Sequence, residues 1–128
     1  MKVKMTRDEV NAGRLIPNGE YAGEITGTSD ETSSGGNEML VLNIKVQNHP
    51  EFAGVEVRDW LGNWFRGADK MRRFVEAVTN AKYDYEHEYD LSDKTLKGKK
   101  VKFYNRQGTD NTGKPCNQVE DYKNVDAK

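Results

Sequence analysis

The chain has 128 residues, of which 34% are hydrophobic and 32% charged, and its formal net charge is −1. This length suits one domain with a single core, and the near-neutral total argues against a histone-like polycation. No apolar run approaches the ~20 residues of a membrane-spanning helix, and the first residues lack the apolar core of a signal peptide. With a single cysteine, Cys116, no internal disulfide can form. The sequence therefore predicts a cytoplasmic protein without a membrane partner.

Two strands are predicted in the first third of the chain. A turn signal at residues 17–19 precedes alternation over 20–28, where Tyr21, Gly23 and Ile25 share one face. Residues 29–38 are almost entirely polar and predict a flexible loop. Residues 39–46 give the strongest strand signal, with a core face made of Leu40, Leu42, Ile44 and Val46 and an outer face that includes Val41.

A third strand and one helix are predicted in the middle of the chain. Residues 53–61 alternate with Val55, Val57 and Leu61 on the core face, although Asp59 shares their parity and breaks the pattern. Beyond Gly62 apolar residues recur every three or four positions, which predicts an amphipathic helix over 64–81 with Asn63 as its N-cap.

The last third of the chain predicts an irregular connection and two more strands. Residues 82–97 form the connection, anchored to the core by Leu91 and Leu96. A fourth strand over 99–106 buries Val101 and Phe103. A Gly-bearing hairpin loop over 107–114 then leads to a fifth strand over 115–122.

The resulting order, β-β-β-α-β-β, is that of the OB-fold, a partly open five-stranded barrel whose strands 2–3 and two loops bind oligonucleotides and oligosaccharides. The sequence predicts a mainly β protein: one OB-fold domain over 1–128, with a helix between strands 3 and 4, a core over about 15–122 and flexible termini. The loops that would close over a ligand are 29–38 and 107–114. A β-sandwich fragment capped by a helix is the alternative.

Positive charge is concentrated late in the chain, since residues 94–114 contain seven Lys or Arg residues and one Asp. Such a block is either a phosphate-binding surface or a strand edge that lysines protect from aggregation. Single-strand binding needs cations for the phosphates and exposed rings for stacking, and the outward parity of strands 2–4 offers both. The predicted nucleic-acid-binding residues are Asn43, Lys45, Arg58, Trp60, Lys102, Tyr104, Arg106 and Lys114.

Each of these assignments has a structural alternative. Trp60 could be a core residue beneath the helix start, and Tyr104 could lie flat on a neighbouring strand. The cations Lys45, Arg58 and Lys102 could be ordinary solvated surface.

Catalytic motifs are absent from the sequence. His49, His87 and Cys116 have no metal-ligand spacing. The chain also lacks a phosphate-cradling Gly-Lys-Ser/Thr loop and a nucleophile elbow. The sequence therefore predicts no metal, no cofactor and no enzymatic activity.

Turns and strand patterns over residues 15–122 carry a family resemblance. They lie at 16–21, in the Gly-bearing loop leading to 39–46, at 96–101, and in the Gly113-Lys114 turn before 117–119. These segments resemble the small phage-encoded single-stranded DNA-binding proteins, long catalogued as a domain of unknown function and often encoded beside recombination and replication genes. The resemblance implies an OB-like fold, sequence-tolerant binding of single strands and no enzymatic activity.

Two functional hypotheses follow. The first is a phage-type single-stranded DNA-binding protein, a monomer or small homo-oligomer in the host cytoplasm, that supports DNA replication or recombination; RNA is an alternative ligand. The second is an OB-like module that docks a phage replication or recombination protein, which the net negative charge and the acidic residues 83–93 favour. An oligosaccharide binder is a more distant alternative, because sugar platforms also use exposed Trp and Tyr.

Overall fold

The computed structural model describes residues 1–11, 13–64 and 67–126. These residues form a five-stranded antiparallel sheet and three helices. The elements in chain order are α1 (Arg7–Asn11), β1 (Gly19–Thr32), β2 (Glu38–Val46), β3 (Glu56–Gly62), α2 (Gly67–Thr79), α3 (Asp93–Leu96), β4 (Lys100–Thr109) and β5 (Pro115–Lys123). The predicted mainly β class is confirmed, and α2 lies between the third and fourth strands as predicted. The connection predicted as irregular over 82–97 contains a second, short helix, α3, so the prediction of one helix there was wrong.

The strands are hydrogen-bonded in the order β3-β2-β1-β4-β5. The central strand β1 pairs with β4 along its first half and with β2 along its second half. The two pairings overlap at Gly23 and Glu24, and a register shift between Ile25 and Gly27 interrupts the ladder with β2. Such bulges bend a strand and increase its twist. The sheet coils enough to bring its two edge strands, β3 and β5, into contact. Among the described residues no backbone ladder joins these edges, so the sheet is not a closed barrel.

Gly23 shows why β1 can coil so tightly. It lies on the core face of β1, between the backbones of β2 and β4. A Cβ at this position would meet Ile44 Cγ2 at 2.5 Å and the Phe103 ring at 3.0 Å. Any side chain here would therefore push β2 and β4 away from β1.

One hydrophobic core fills the space between the inner face of the sheet and α2. The predicted core faces of the first four strands are buried, including Tyr21, Ile25, Leu42, Ile44, Val57, Leu61, Val101 and Phe103. On β5, for which no core face was predicted, Val119 and Tyr122 are buried. Helix α2 packs against β3 and β5 and buries Phe74, Val75 and Ala77. Leu96 is buried and Leu91 packs on the core, so both predicted anchors of the 82–97 connection are confirmed.

Both predicted ligand loops are shorter than the sequence suggested. Strands β1 and β2 extend to leave only residues 33–37 in the first turn, and β4 and β5 leave only 110–114 in the second. The predicted loops 29–38 and 107–114 were wrong because backbone ladder bonds need no apolar side chains, so a hairpin can continue beyond the core as a polar ribbon.

The predicted helix and its cap also need correction. The described helix runs over Gly67–Thr79 and not over 64–81, and residues 65 and 66 of that prediction lie outside the described residues. Residue 64 is described and is not helical, so Asn63 is not followed directly by a helix as an N-cap would be.

The segment before residue 15 contains an unpredicted helix that is anchored to the domain. Its start is a capping box, in which Glu9 N donates to Thr6 Oγ1 and Thr6 N donates to Glu9 Oε2, both at 3.1 Å. At its end Asn11 is only 2% exposed, and its Nδ2 donates to the carbonyls of Glu51 and Ala53 at 3.1 and 2.8 Å. The structured domain therefore starts well before residue 15.

Candidate nucleic-acid interface

The outer face of β3 presents an arginine and an indole side by side. Arg58 and Trp60 are two residues apart and both exposed, because strand residues of equal parity share a face. Trp60 keeps 47% of its surface exposed, so the predicted orientation is confirmed and the core alternative is wrong. Its partner across the ladder is Val41, which is only 2% exposed although it lies on the outer face of β2. Val41 thus has the parity of the outer face, as predicted, but it is buried.

Asn43 on β2 holds Arg58 in place. The two residues are partners in the β2–β3 register, and Arg58 Nε donates to Asn43 Oδ1 at 3.0 Å. Within the described residues no other hydrogen bond or ion pair of this guanidinium is found. Its two terminal nitrogens are therefore available for an anion, in a fork geometry suited to phosphate.

These side chains line a groove of about 790 Å³ that lies between β3 and the start of β5. We call it the β3–β5 groove. One wall carries Met39, Arg58 and Trp60, and the opposite wall carries residues 115–118. Asp110 and Asn111 of the β4–β5 turn form its rim, and Asp59, Lys70 and Val119 form its floor. An open groove beside an exposed indole has the shape and chemistry to hold an extended chain of flat rings.

The floor of the groove is the place where the two sheet edges are joined by side chains. Lys70 Nζ from α2 is 2.9 Å from both carboxylate oxygens of Asp59 and donates to the Val119 carbonyl at 2.6 Å. Tyr122 Oη donates to Asp59 Oδ2 at 2.5 Å. We call Asp59, Lys70, Val119 and Tyr122 the β3–β5 seam. Asp59, which broke the apolar pattern of its strand, is thus a buried carboxylate that ties β3 to β5 and to α2.

The seam also perturbs Tyr122. Burial, and then the negative charge of Asp59, raise the pKa of this phenol well above its ordinary value. The hydroxyl therefore stays protonated and keeps donating to Asp59 throughout the physiological range.

The rim turn is organised by one carboxylate. Asp110 Oδ1 accepts hydrogen bonds from Thr112 Oγ1 at 2.7 Å, Thr112 N at 2.9 Å and Lys114 N at 3.0 Å. These bonds, the Thr112 hydroxyl first, lower the pKa of Asp110. Gly113 has φ +86°, a left-handed conformation that suits glycine. Lys114 is exposed on this turn, beside the mouth of the groove.

The three predicted residues of β4 do not join this groove. Tyr104 is 37% exposed, but its ladder partners are Glu20 on one side and Asp121 on the other. Arg106 Nε pairs with Glu120 at 3.2 Å. Lys102 lines a separate pocket of about 330 Å³ together with Tyr104. Because β2 and β1 separate β4 from β3 in the sheet, the structure divides the predicted site residues between two surfaces.

Lys45 extends the β2 face beyond Asn43. Its partners in the two ladders are Glu24 on β1 and Glu56 on β3. These carboxylates compete with any phosphate for its ammonium group. The structure thus brings Asn43, Arg58 and Trp60 together and places Lys45 at the margin of their surface.

Sequence comparison assigns the chain to a family. It matches the family described as "Protein of unknown function (DUF669)" over residues 3–128. The chain belongs to this family. No curated protein matches the chain significantly.

Two further findings concern metal binding and membrane spans in this DUF669 protein. Among the described residues there is no cluster of three or more His, Cys, Asp or Glu side chains that could hold a metal ion. No helix within the same residues is long and apolar enough to cross a membrane.

Sequence reasoning missed the floor and the far wall of the groove. The parity of Asp59 was the available signal for the floor, because a carboxylate on a core face needs a buried partner. Nothing in the local sequence points from Asp59 to Lys70 or Tyr122, since these contacts span 11 and 63 positions.

Proposed function

We propose that this protein is a non-catalytic, sequence-tolerant single-stranded DNA-binding protein that uses the β3–β5 groove. The observation that carries the proposal is the exposed Trp60 ring beside an Arg58 guanidinium that Asn43 holds in place. Stacking on an aromatic ring tolerates every base because each base has a π-face. An arginine next to the ring can contact the neighbouring phosphate without reading the sequence.

We further propose that the fold is a partly open OB barrel. The strand order, with β3 and β5 meeting at the seam, supports it, because a five-stranded OB barrel runs through β1, β2, β3, β5 and β4 in space. The groove then occupies the OB ligand surface, on the outer face of β3 beside the β4–β5 turn. The resemblance to phage single-strand binders suggests a role in phage DNA replication or recombination.

The charges around the groove allow the salt dependence of binding to be predicted. Arg58 and Lys70 face Glu56, Asp59 and Asp110 along its lining, so the groove has no strong net field. Lys70 is committed to the seam, and this leaves Arg58 and the nearby Lys114 for phosphates. Neutralising two phosphates gives a slope of log affinity against log salt of about −1.4 for a single strand.

The test is a fluorescence-anisotropy titration of a labelled oligo-dT with wild-type protein and matched aromatic variants. Loss of one stacking platform costs about 1–3 kcal/mol, so Trp60→Ala should weaken binding by about 5- to 140-fold. Trp60→Phe should retain most of the affinity. Tyr104→Ala removes an exposed ring from β4 and should change affinity by less than about twofold.

Three outcomes would contradict the proposal. The first is that micromolar protein in low salt binds no single strands. The second is duplex binding as tight as single-strand binding, because paired bases cannot stack on Trp60. The third is a loss of affinity in Tyr104→Ala that exceeds the loss in Trp60→Ala, which would place the interface on β4.

A further inference from the structure

Another pocket lies at the Glu38 end of β2, opposite the end that leads through a turn into β3. Its volume is about 690 Å³, and it is bounded by the β1–β2 hairpin, the start of α2 and residues 88–92. The apolar lining consists of Met39, Leu40, Leu61, Met71 and Leu91. The charged lining consists of four exposed carboxylates, Asp30, Glu38, Glu88 and Asp90. No Lys or Arg is found among the described residues that line this acidic pocket, so it suits a ligand that is both apolar and cationic.

The amino-terminal segment, residues 1–5, has these two properties. Its sequence alternates apolar and cationic side chains, Met1-Lys2-Val3-Lys4-Met5. Met1 is fully exposed, Val3 and Met5 are 61% and 65% exposed, and the segment lies outside any helix or strand. Side chains at alternate positions share one face of an extended segment, so the three apolar side chains can pack together against a partner. Docked in the pocket in an extended conformation, the segment would turn its apolar side chains toward the floor, and its lysines would lie closer to the carboxylate rim.

The segment cannot reach the pocket of its own chain while α1 stays docked. Arg7 Nη1 donates to the Pro50 carbonyl at 3.1 Å, beyond the Val46 end of β2, whereas the acidic pocket lies at the Glu38 end. The nine residues of β2 span about 27 Å at ~3.4 Å per residue. The six residues before Arg7 reach at most about 21 Å when fully extended. The pocket that this segment fits therefore belongs to a second copy.

We propose that residues 1–5 of one copy dock in the acidic pocket of a second copy. The contact joins two different surfaces, so it is heterologous and can continue from copy to copy in an open chain. Five docked residues bury far less than the ~1,200 Å² of a stable interface, and the association is therefore weak. It is also salt-sensitive, because two lysines face four carboxylates. Self-association of this kind does not depend on DNA binding.

The test is sedimentation velocity without nucleic acid, from about 1 µM to about 1 mM protein, a range that covers weak association. A segment variant, Lys2→Glu/Lys4→Glu, and a pocket variant, Glu38→Lys/Glu88→Lys, each disrupt one partner surface. The control, Lys97→Glu/Lys99→Glu, makes the same charge change as the segment variant at exposed lysines that belong neither to the segment nor to the pocket lining. Far-UV circular dichroism establishes that all variants are folded.

We expect the average mass of the wild type and of the control to rise with concentration and to fall at high salt. Each disrupted variant alone should stay monomeric. An equimolar mixture of the two should associate again, because the segment variant keeps an intact pocket and the pocket variant keeps an intact segment. A monomeric wild type throughout the range, association of either variant at the wild-type level, or a mixture that stays monomeric would each overturn the proposal.

Discussion

Replacing Lys70 with methionine should destabilise the protein by about 3 kcal/mol, because it leaves a buried carboxylate without its cation. The Asp59 side chain is 10% exposed and the Lys70 side chain 22%. Breaking a buried ion pair by removing one partner costs about 3–5 kcal/mol, and the partial exposure of Lys70 favours the lower end of this range. Methionine keeps the aliphatic bulk of the lysine stem, so the loss measures the ammonium group and not a cavity.

The assay is urea unfolding followed by far-UV circular dichroism. The matched control is Arg72→Met on the same helix, where Arg72 forms partly exposed pairs with Asp69 and Glu76 at 2.9 and 2.7 Å. Such surface pairs are worth at most about 1 kcal/mol. A double-mutant cycle with Asp59→Leu should show a coupling of about 1–3 kcal/mol between the seam residues. A Lys70→Met variant no less stable than Arg72→Met would refute the role of the seam.

Three further outcomes follow from the structure. Asn43→Ala should weaken oligo-dT binding by about two- to fivefold in the anisotropy titration, because Arg58 loses the roughly 0.5–1 kcal/mol bond that orients it. Thr6→Ala should destabilise α1 by about 1 kcal/mol through loss of the capping box, which faster amide exchange at residues 8–11 would reveal. Stability should fall as pH rises above about 10, because the unfolded state then loses the Tyr122 proton while the raised pKa keeps that proton bound in the folded state. Urea midpoints between about pH 8 and 11 would show this loss, and it should be smaller in Tyr122→Phe.

Strand periodicity was the part of the fold that the sequence revealed best. A strand with one buried face must alternate, and residues such as Ile44 and Phe103 lie where this alternation places them. Apolar alternation did not indicate where the strands of each hairpin end. Residues 29–32 have no apolar side chain, yet they pair with the start of β2 through backbone bonds that any residue can make.

Helix α1 was missed for a different physical reason. It is five residues long and has no repeating apolar face, so periodicity cannot detect it. The capping-box pattern of Thr6 and Glu9 was present in the sequence and was the available signal. The anchor, Asn11, bonds residues 40 and 42 positions away, which no local pattern can indicate.

The geometry of the sheet explains why the predicted binding residues lie on two different surfaces. Parity correctly predicted that Trp60 and Tyr104 face outward. It could not predict that they face different sides, because the outer face of a coiled sheet points in a different direction at each strand. Only the strand order, with β2 and β1 between β3 and β4, separates the two rings.

The proposed interface and the contact between the two sheet edges depend on one tripeptide of β3. Arg58 and Trp60 point outward and line the groove, while Asp59 between them points inward and holds the seam. No backbone ladder between described residues fixes the spacing of β3 and β5. The bonds of Asp59 to Lys70 and Tyr122 therefore set the distance between Trp60 and the opposite wall at residues 115–118. An apolar residue at position 59 would bury more hydrocarbon but would lack the directional bonds that fix this distance. The buried carboxylate of Asp59 therefore sets the width of the groove. This role explains why a polar residue on the core face of β3 lies between the two residues that point into the groove.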